Sequence, residues 1–136
     1  MRFKNQICTS IEQSKKLLEL GVNPETADMK IDIYFPNEPT VTPTDVNIDW
    51  SKQDEFIPTW SLYRLIELCP EYINIDGYAD TTYWFKLYKL DNKIIYENDY
   101  DRWIYLGDGD NLFDTLIDCI EWLIKEKHFN QEFLKK

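Results

Sequence analysis

Chemistry at a protein surface begins with side chains that hold a proton, a nucleophile or a metal ion, and few in this sequence stand at spacings that would serve. The chain has one histidine, His128, whereas nucleophilic catalysis needs a histidine base within reach of a Ser or Cys. His128 follows the basic end of a long helical pattern, where a solvated residue is the plain reading. Asp108, Asp110 and Asp114 gather carboxylates as calcium loops do. The sixth-position glycine and terminal glutamate of an EF-hand are missing there, and helix capping already accounts for Asp110 and Asp114. Asp99 and Asp101 form a carboxylate pair of the kind glycosidases use, but twenty-five acidic residues produce such pairs by chance. No P-loop, G-x-G-x-x-G, H-E-x-x-H or G-x-S-x-G pattern occurs. The sequence therefore nominates no catalytic residue, no metal ligand and no cofactor, and it leans away from an enzyme.

The three cysteines, Cys8, Cys69 and Cys119, are odd in number, widely spaced and without a C-x-x-C pair. That pattern fits reduced thiols in a cytoplasm better than a disulfide framework or a zinc site. Met1-Arg2-Phe3-Lys4 is followed by Asn5, Gln6, Cys8 and Thr9 where a signal peptide would carry an unbroken apolar run. No stretch has the length of a membrane helix. The expectation is a cytoplasmic protein with no membrane contact.

Fifteen basic against twenty-five acidic residues give a net charge of -10. Such a surface repels a nucleic-acid backbone, attracts a basic partner and keeps a small protein soluble. Aromatic residues make up 15%, with nine Tyr and five Trp, more than a core of this size hides. Tyr and Trp are enriched where proteins meet partners, so composition leans toward a binding module.

The elements that would position these side chains are legible in outline. Thr9-Ser10-Ile11-Glu12 has the capping-box pattern and opens a helix that runs to Leu20 and stops at Gly21. Asn23-Pro24-Glu25-Thr26 starts one further turn. Lys30 to Phe35 alternates Ile31, Ile33 and Phe35 with other residues, the period of a half-buried strand. Residues 36–58 hold Pro36, Pro39, Pro43 and Pro58 and read as a long surface loop with Trp50 as its most conspicuous residue. Thr59 or Ser61 caps a second helix that buries Leu62, Leu65, Ile66 and Leu68. Tyr72 to Ile75 is a short strand, and Asp76-Gly77 is a turn. Strands over Thr82–Leu90 and Lys93–Asn98 flank Asp91-Asn92, which suits the positive φ values of a tight hairpin, and Asp101–Leu106 is a third. From Asp110 to Lys127 the apolar residues Leu112, Phe113, Leu116, Ile117, Ile120, Leu123 and Ile124 form one helical face.

This order predicts an α+β fold in a single domain of residues 1–136. Its antiparallel sheet has about four to five strands, and its three helices lie mainly on one face. In the first hairpin strand Tyr83, Phe85 and Leu87 point one way and Trp84, Lys86 and Tyr88 the other. If helices cover the first set, the second is an open aromatic face, which Trp103 and Tyr105 extend if the register allows.

Three segments, TSIEQSKKLLELGVNPETADM (Thr9–Met29), IPTWSLYRLIEL (Ile57–Leu68) and GDGDNLFDTLIDCIEWLI (Gly107–Ile124), resemble a family of small proteins met in Bacteroides-type bacteria and their prophages and mobile elements. The chain departs from that family's pattern at Leu116–Glu121 and between Thr40 and Glu55. The resemblance brings no activity. It implies a bacterial or phage cytoplasmic accessory protein, and it leaves room for one that occupies the nucleic-acid site of a host defence enzyme.

Three readings result. The first is a non-enzymatic protein-binding accessory protein whose partner is another protein, contacted through Trp84, Lys86, Tyr88, Trp103, Tyr105 and Trp50. The second is an acidic nucleic-acid mimic. The third is a small-molecule binder or enzyme with a pocket near Trp50, Trp60 and Tyr63. The sequence carries no signature of an oligomeric state.

Overall fold

The computed structural model describes residues 6–41 and 55–136, so Trp50 and much of the proline-containing stretch lie outside the described residues. The chain groups into two compact units, Met1–Ile66 with Gln131–Lys136 and Glu67–Asn130. The fold is α+β. The described residues form three α-helices and two antiparallel sheets of three and four strands. The strands divide between two sheets because each set pairs with its near neighbours in the chain, the first three among themselves and the last four as a meander.

In the first unit, α1 (Ile11–Glu19) begins at Ser10, whose hydroxyl accepts from Gln13 N at 3.1 Å while Gln13 Oε1 accepts from Ser10 N at 2.9 Å. This capping box sits one residue later than the sequence pattern because Thr9 is engaged elsewhere. Its Oγ1 accepts from the Trp60 amide at 3.0 Å and lies 2.7 Å from Ser14 Oγ. Gly21, at φ +93°, ends the helix in the left-handed region that glycine adopts without penalty.

Strand β1 (Met29–Asp32) lies between β2 (Phe35–Val41) and β3 (Phe56–Thr59), antiparallel to both. The strand expected to reach Phe35 ends early. Asp32 Oδ1 accepts from Tyr34 N at 2.9 Å and turns the chain, so Ile31 is buried while Ile33 and Phe35 are exposed. The beginning and end of the expected 36–58 loop are thus strands. Pro36 and Pro39 are tolerated in β2 because it is an edge strand. Trp60, wholly buried, donates its indole N–H to Thr26 Oγ1 at 2.9 Å. Ser61 caps α2 (Leu62–Leu68) by accepting from Arg64 N, and Asp28 accepts from both the amide and the hydroxyl of Ser61.

In the second unit β4 (Tyr72–Asn74), β5 (Thr82–Tyr88), β6 (Lys93–Glu97) and β7 (Trp103–Gly107) form an antiparallel meander in that order. The hairpin between β5 and β6 turns on Asp91 at φ 60° and Asn92 at φ 47°, the left-handed pair expected there. Helix α3 (Leu112–Lys125) is capped by Asn111, which accepts from Asp114 N at 3.2 Å. Leu116, Ile117, Ile120 and Leu123 are buried along its stripe. At its other end Lys127 is left-handed at φ 62°, and His128 N donates to Leu123 O at 2.8 Å, a Schellman closure.

Candidate protein-binding face

Residues directly opposite in an antiparallel ladder point to the same side of the sheet. The register Phe85↔Tyr96↔Tyr105 therefore puts three aromatic side chains on one face. Phe85 and Tyr96 rings are 5.6 Å apart, and Trp122 of α3 lies 6.2 Å from Tyr96 and 4.9 Å from Tyr105, so this is the helix-covered face. Burial pushes the Tyr96 phenol up, and Tyr105 moves the same way for the same reason, reinforced by the nearby Cys119 and Asp118. Gly107 makes room for this packing: a Cβ there would stand 2.6 Å from the Tyr105 hydroxyl.

The opposite face follows from the alternate register. Tyr72↔Trp84↔Glu97↔Trp103 forms one row across all four strands. Lys86, Ile95 and Leu106 form the next row, and Tyr88 and Lys93 the one after it. Tyr72, Trp84 and Trp103 are 53%, 42% and 56% exposed. The Tyr72 and Trp84 rings are 5.4 Å apart. Lys86 Nζ lies 3.4 Å from Glu97 Oε2, and Lys93 Nζ stands 4.6 Å from the centre of the Tyr88 ring. Exposed rings and one ion pair are thus held side by side on four hydrogen-bonded strands, a geometry suited to contact.

Of the sequence-nominated residues, the fold brings Trp84, Lys86, Tyr88 and Trp103 together on this face. Tyr105 is separated from them. The register shifts between Tyr96↔Tyr105 and Glu97↔Trp103, and this bulge turns Trp103 outward while leaving Tyr105 toward α3. Trp50 lies outside the described residues. The sequence does not point to Tyr72 or Glu97: counting outward from a two-residue Asp91-Asn92 turn would set Trp84 against Asp99, and Trp84 meets Glu97 because the connection takes up four residues, 89–92.

Other candidates resolve differently. His128 is half-buried with its ring 5.5 Å from that of Trp122. Asp99 and Asp101 are exposed in the β6–β7 connection, and Asp108 and Asp110 are exposed ahead of α3. Among the described residues no group of three His, Cys, Asp or Glu side chains is placed to hold a metal ion. A polar depression of about 310 Å³ is bounded by Asp80, Asn98, Tyr100 and Arg102. A second, of about 350 Å³, lies between Ile7, Cys8, Ile31, Pro36 and Pro39. Trp60 is in the core, and Tyr63 is exposed.

All three cysteines are buried free thiols. A hydrogen bond with Cys69, together with burial, raises the Cys119 thiol, and burial raises that of Cys8. No helix among the described residues is long and apolar enough to cross a membrane. Comparisons with protein-family models, with curated proteins and with solved structures return no match.

Proposed function

We propose that this chain is a non-enzymatic protein-binding module, an accessory protein of bacterial or phage origin, that contacts another protein through the open face of its four-stranded sheet. The observation that carries the reading is the row Tyr72–Trp84–Glu97–Trp103, in which three large rings stay 42–56% exposed on a four-stranded sheet. Exposed aromatic area of this kind, contiguous and on a regular element, marks interaction sites. Buried free thiols fit a reducing, cytoplasmic setting.

The test is affinity recovery of the tagged chain from lysate of its host, in parallel with Trp84→Ala and Trp103→Ala. One stoichiometric partner held by the natural chain and lost by both variants, with cooperative unfolding retained in all three, supports the reading. A partner held equally by all three overturns it. The net charge of -10 favours a second reading, an acidic mimic that occupies a nucleic-acid site. Under that reading the partner is itself a nucleic-acid-binding protein, is released by high salt, and ignores both Trp substitutions.

A further inference from the structure

We infer that the row Tyr72–Trp84–Glu97–Trp103 is a seat for a cationic side chain, an arginine or lysine in a basic segment of the partner, and that Lys86 fills this seat in the free protein. This rests on the protein-binding reading and narrows the partner's chemistry.

The row offers the two things a cation needs once it leaves water. Ring faces attract positive charge, and here three exposed rings share one line across the sheet. A carboxylate supplies the counter-charge, and Glu97 stands between Trp84 and Trp103 in the register. The face already binds a cation in this manner at its other end, where Lys93 lies 4.6 Å over Tyr88.

The present occupant is loosely held. Lys86 approaches Glu97 by a single 3.4 Å contact, whereas a charge-assisted hydrogen bond closes to about 2.7–2.9 Å. The Lys86 side chain is 40% exposed against 17% for Glu97. The carboxylate is therefore the sheltered partner, and the ammonium is the one free to leave. A guanidinium seated between the two indoles would engage Glu97 with two parallel N–H donors, which a lysine head cannot do. The surroundings favour such a visitor. Exposed Glu71 precedes Tyr72, and exposed Asp99 and Asp101 lie with Arg102 in the connection that leads to Trp103. The whole chain, at -10, draws basic surfaces from a distance.

The sign of the Lys86 effect separates this inference from its competitors. Removing a competing cation strengthens a cationic ligand, whereas removing a positive group weakens an anionic one. The probe is a blocked tetra-arginine peptide titrated into the full chain at low salt and followed by tryptophan emission. Glu97→Gln is expected to weaken binding by about tenfold, the worth of a hydrogen bond to a charged group. Lys86→Ala is expected to tighten it by about threefold, the scale of one exposed ion pair. The charge-matched control Glu126→Gln, exposed at the end of α3 on the covered side of the sheet, should stay within about twofold, because its charge is screened. Urea unfolding of Lys86→Ala at the natural midpoint excludes unfolding as the source of the gain, so the test stands even if Glu97→Gln is destabilised.

The inference is overturned if Lys86→Ala fails to tighten binding, if Glu97→Gln and Glu126→Gln weaken it equally, or if the peptide does not saturate. It is also overturned if a tetra-glutamate peptide or a hexasaccharide binds as well. A host partner lost by Trp84→Ala but indifferent to Glu97→Gln would leave the protein-binding reading standing and remove only the cation seat.

Discussion

Tyr96, at the centre of the four-stranded sheet, donates its phenol to the carbonyl of Pro70 at 2.7 Å, a bond that spans 26 positions of sequence. The ring is wholly buried, so the bond ties β6 to Pro70, two residues past the end of α2. Tyr96→Phe leaves that carbonyl without its donor at nearly unchanged shape. The expected cost is about 1–2 kcal/mol in urea unfolding, with the sheet's circular dichroism unchanged.

The same phenol sets a limit at alkaline pH. An unfolded tyrosine ionises near pH ~10, while burial holds Tyr96 and Tyr105 protonated above that value in the folded chain. Above pH ~10 the unfolded chain therefore holds fewer protons than the folded one, and stability falls as pH rises. The contribution of both groups is whole below about pH 10 and is lost between there and their folded values. Phenolate absorbance should show exposed tyrosines titrating first and a last fraction appearing only with loss of circular dichroism. A single smooth titration of all the tyrosines without unfolding would contradict the burial of these two.

Tryptophans on the two sides of the packing problem should separate cleanly. Trp60 is wholly buried with its indole N–H satisfied by Thr26, and Trp60→Ala is expected to cost about 3–5 kcal/mol. Trp84→Ala and Trp103→Ala should each cost less than about 1 kcal/mol, the range of cross-strand surface pairs. Chemical denaturation of the three variants measures the contrast directly.

Gly107 is required for a neighbour and not for its own backbone. In Gly107→Ala the new methyl would press on the Tyr105 hydroxyl at 2.6 Å and push the ring from its place 4.9 Å from Trp122. A loss of about 1–3 kcal/mol is expected, with a changed near-ultraviolet signal from the Tyr105–Trp122 pair. Pairing with Tyr105→Phe should recover part of the loss, since the crowded atom is then gone.

The thiols provide a further check. Cys8, Cys69 and Cys119 are buried, and the Cys8 and Cys119 thiols are held above their ordinary values. A disulfide reagent should modify none of the three in the folded chain and all of them in denaturant. Rapid labelling of Cys69 in the native protein would show that the end of α2 opens locally.

Much of this was written locally in the chain. The stripe from Leu112 to Ile124, the Asp91-Asn92 turn and the alternation of Trp84, Lys86 and Tyr88 each depend on residues close in sequence, and each appears where the pattern puts it. What stayed hidden depends on partners far away. The cap of α1 moved from Thr9 to Ser10 because the amide of Trp60, 51 positions on, claims the Thr9 hydroxyl. Pro36 and Pro39 hide strand β2 from a reading of the sequence, since a sheet accepts them only at an edge and edges are a property of the assembled sheet. Spacing alone puts Trp103 and Tyr105, two apart, on one side of a regular strand, and only the β6–β7 register reveals the bulge that parts them.

That bulge means the outside and the inside of β7 answer to different pressures. In a regular strand Trp103 and Tyr105 would share one surface, and any change of one would be judged together with the other. Here Trp103 can drift, be replaced or be retuned for a new partner while Tyr105 goes on serving the core, so one five-residue strand carries a freely revisable word beside a fixed one.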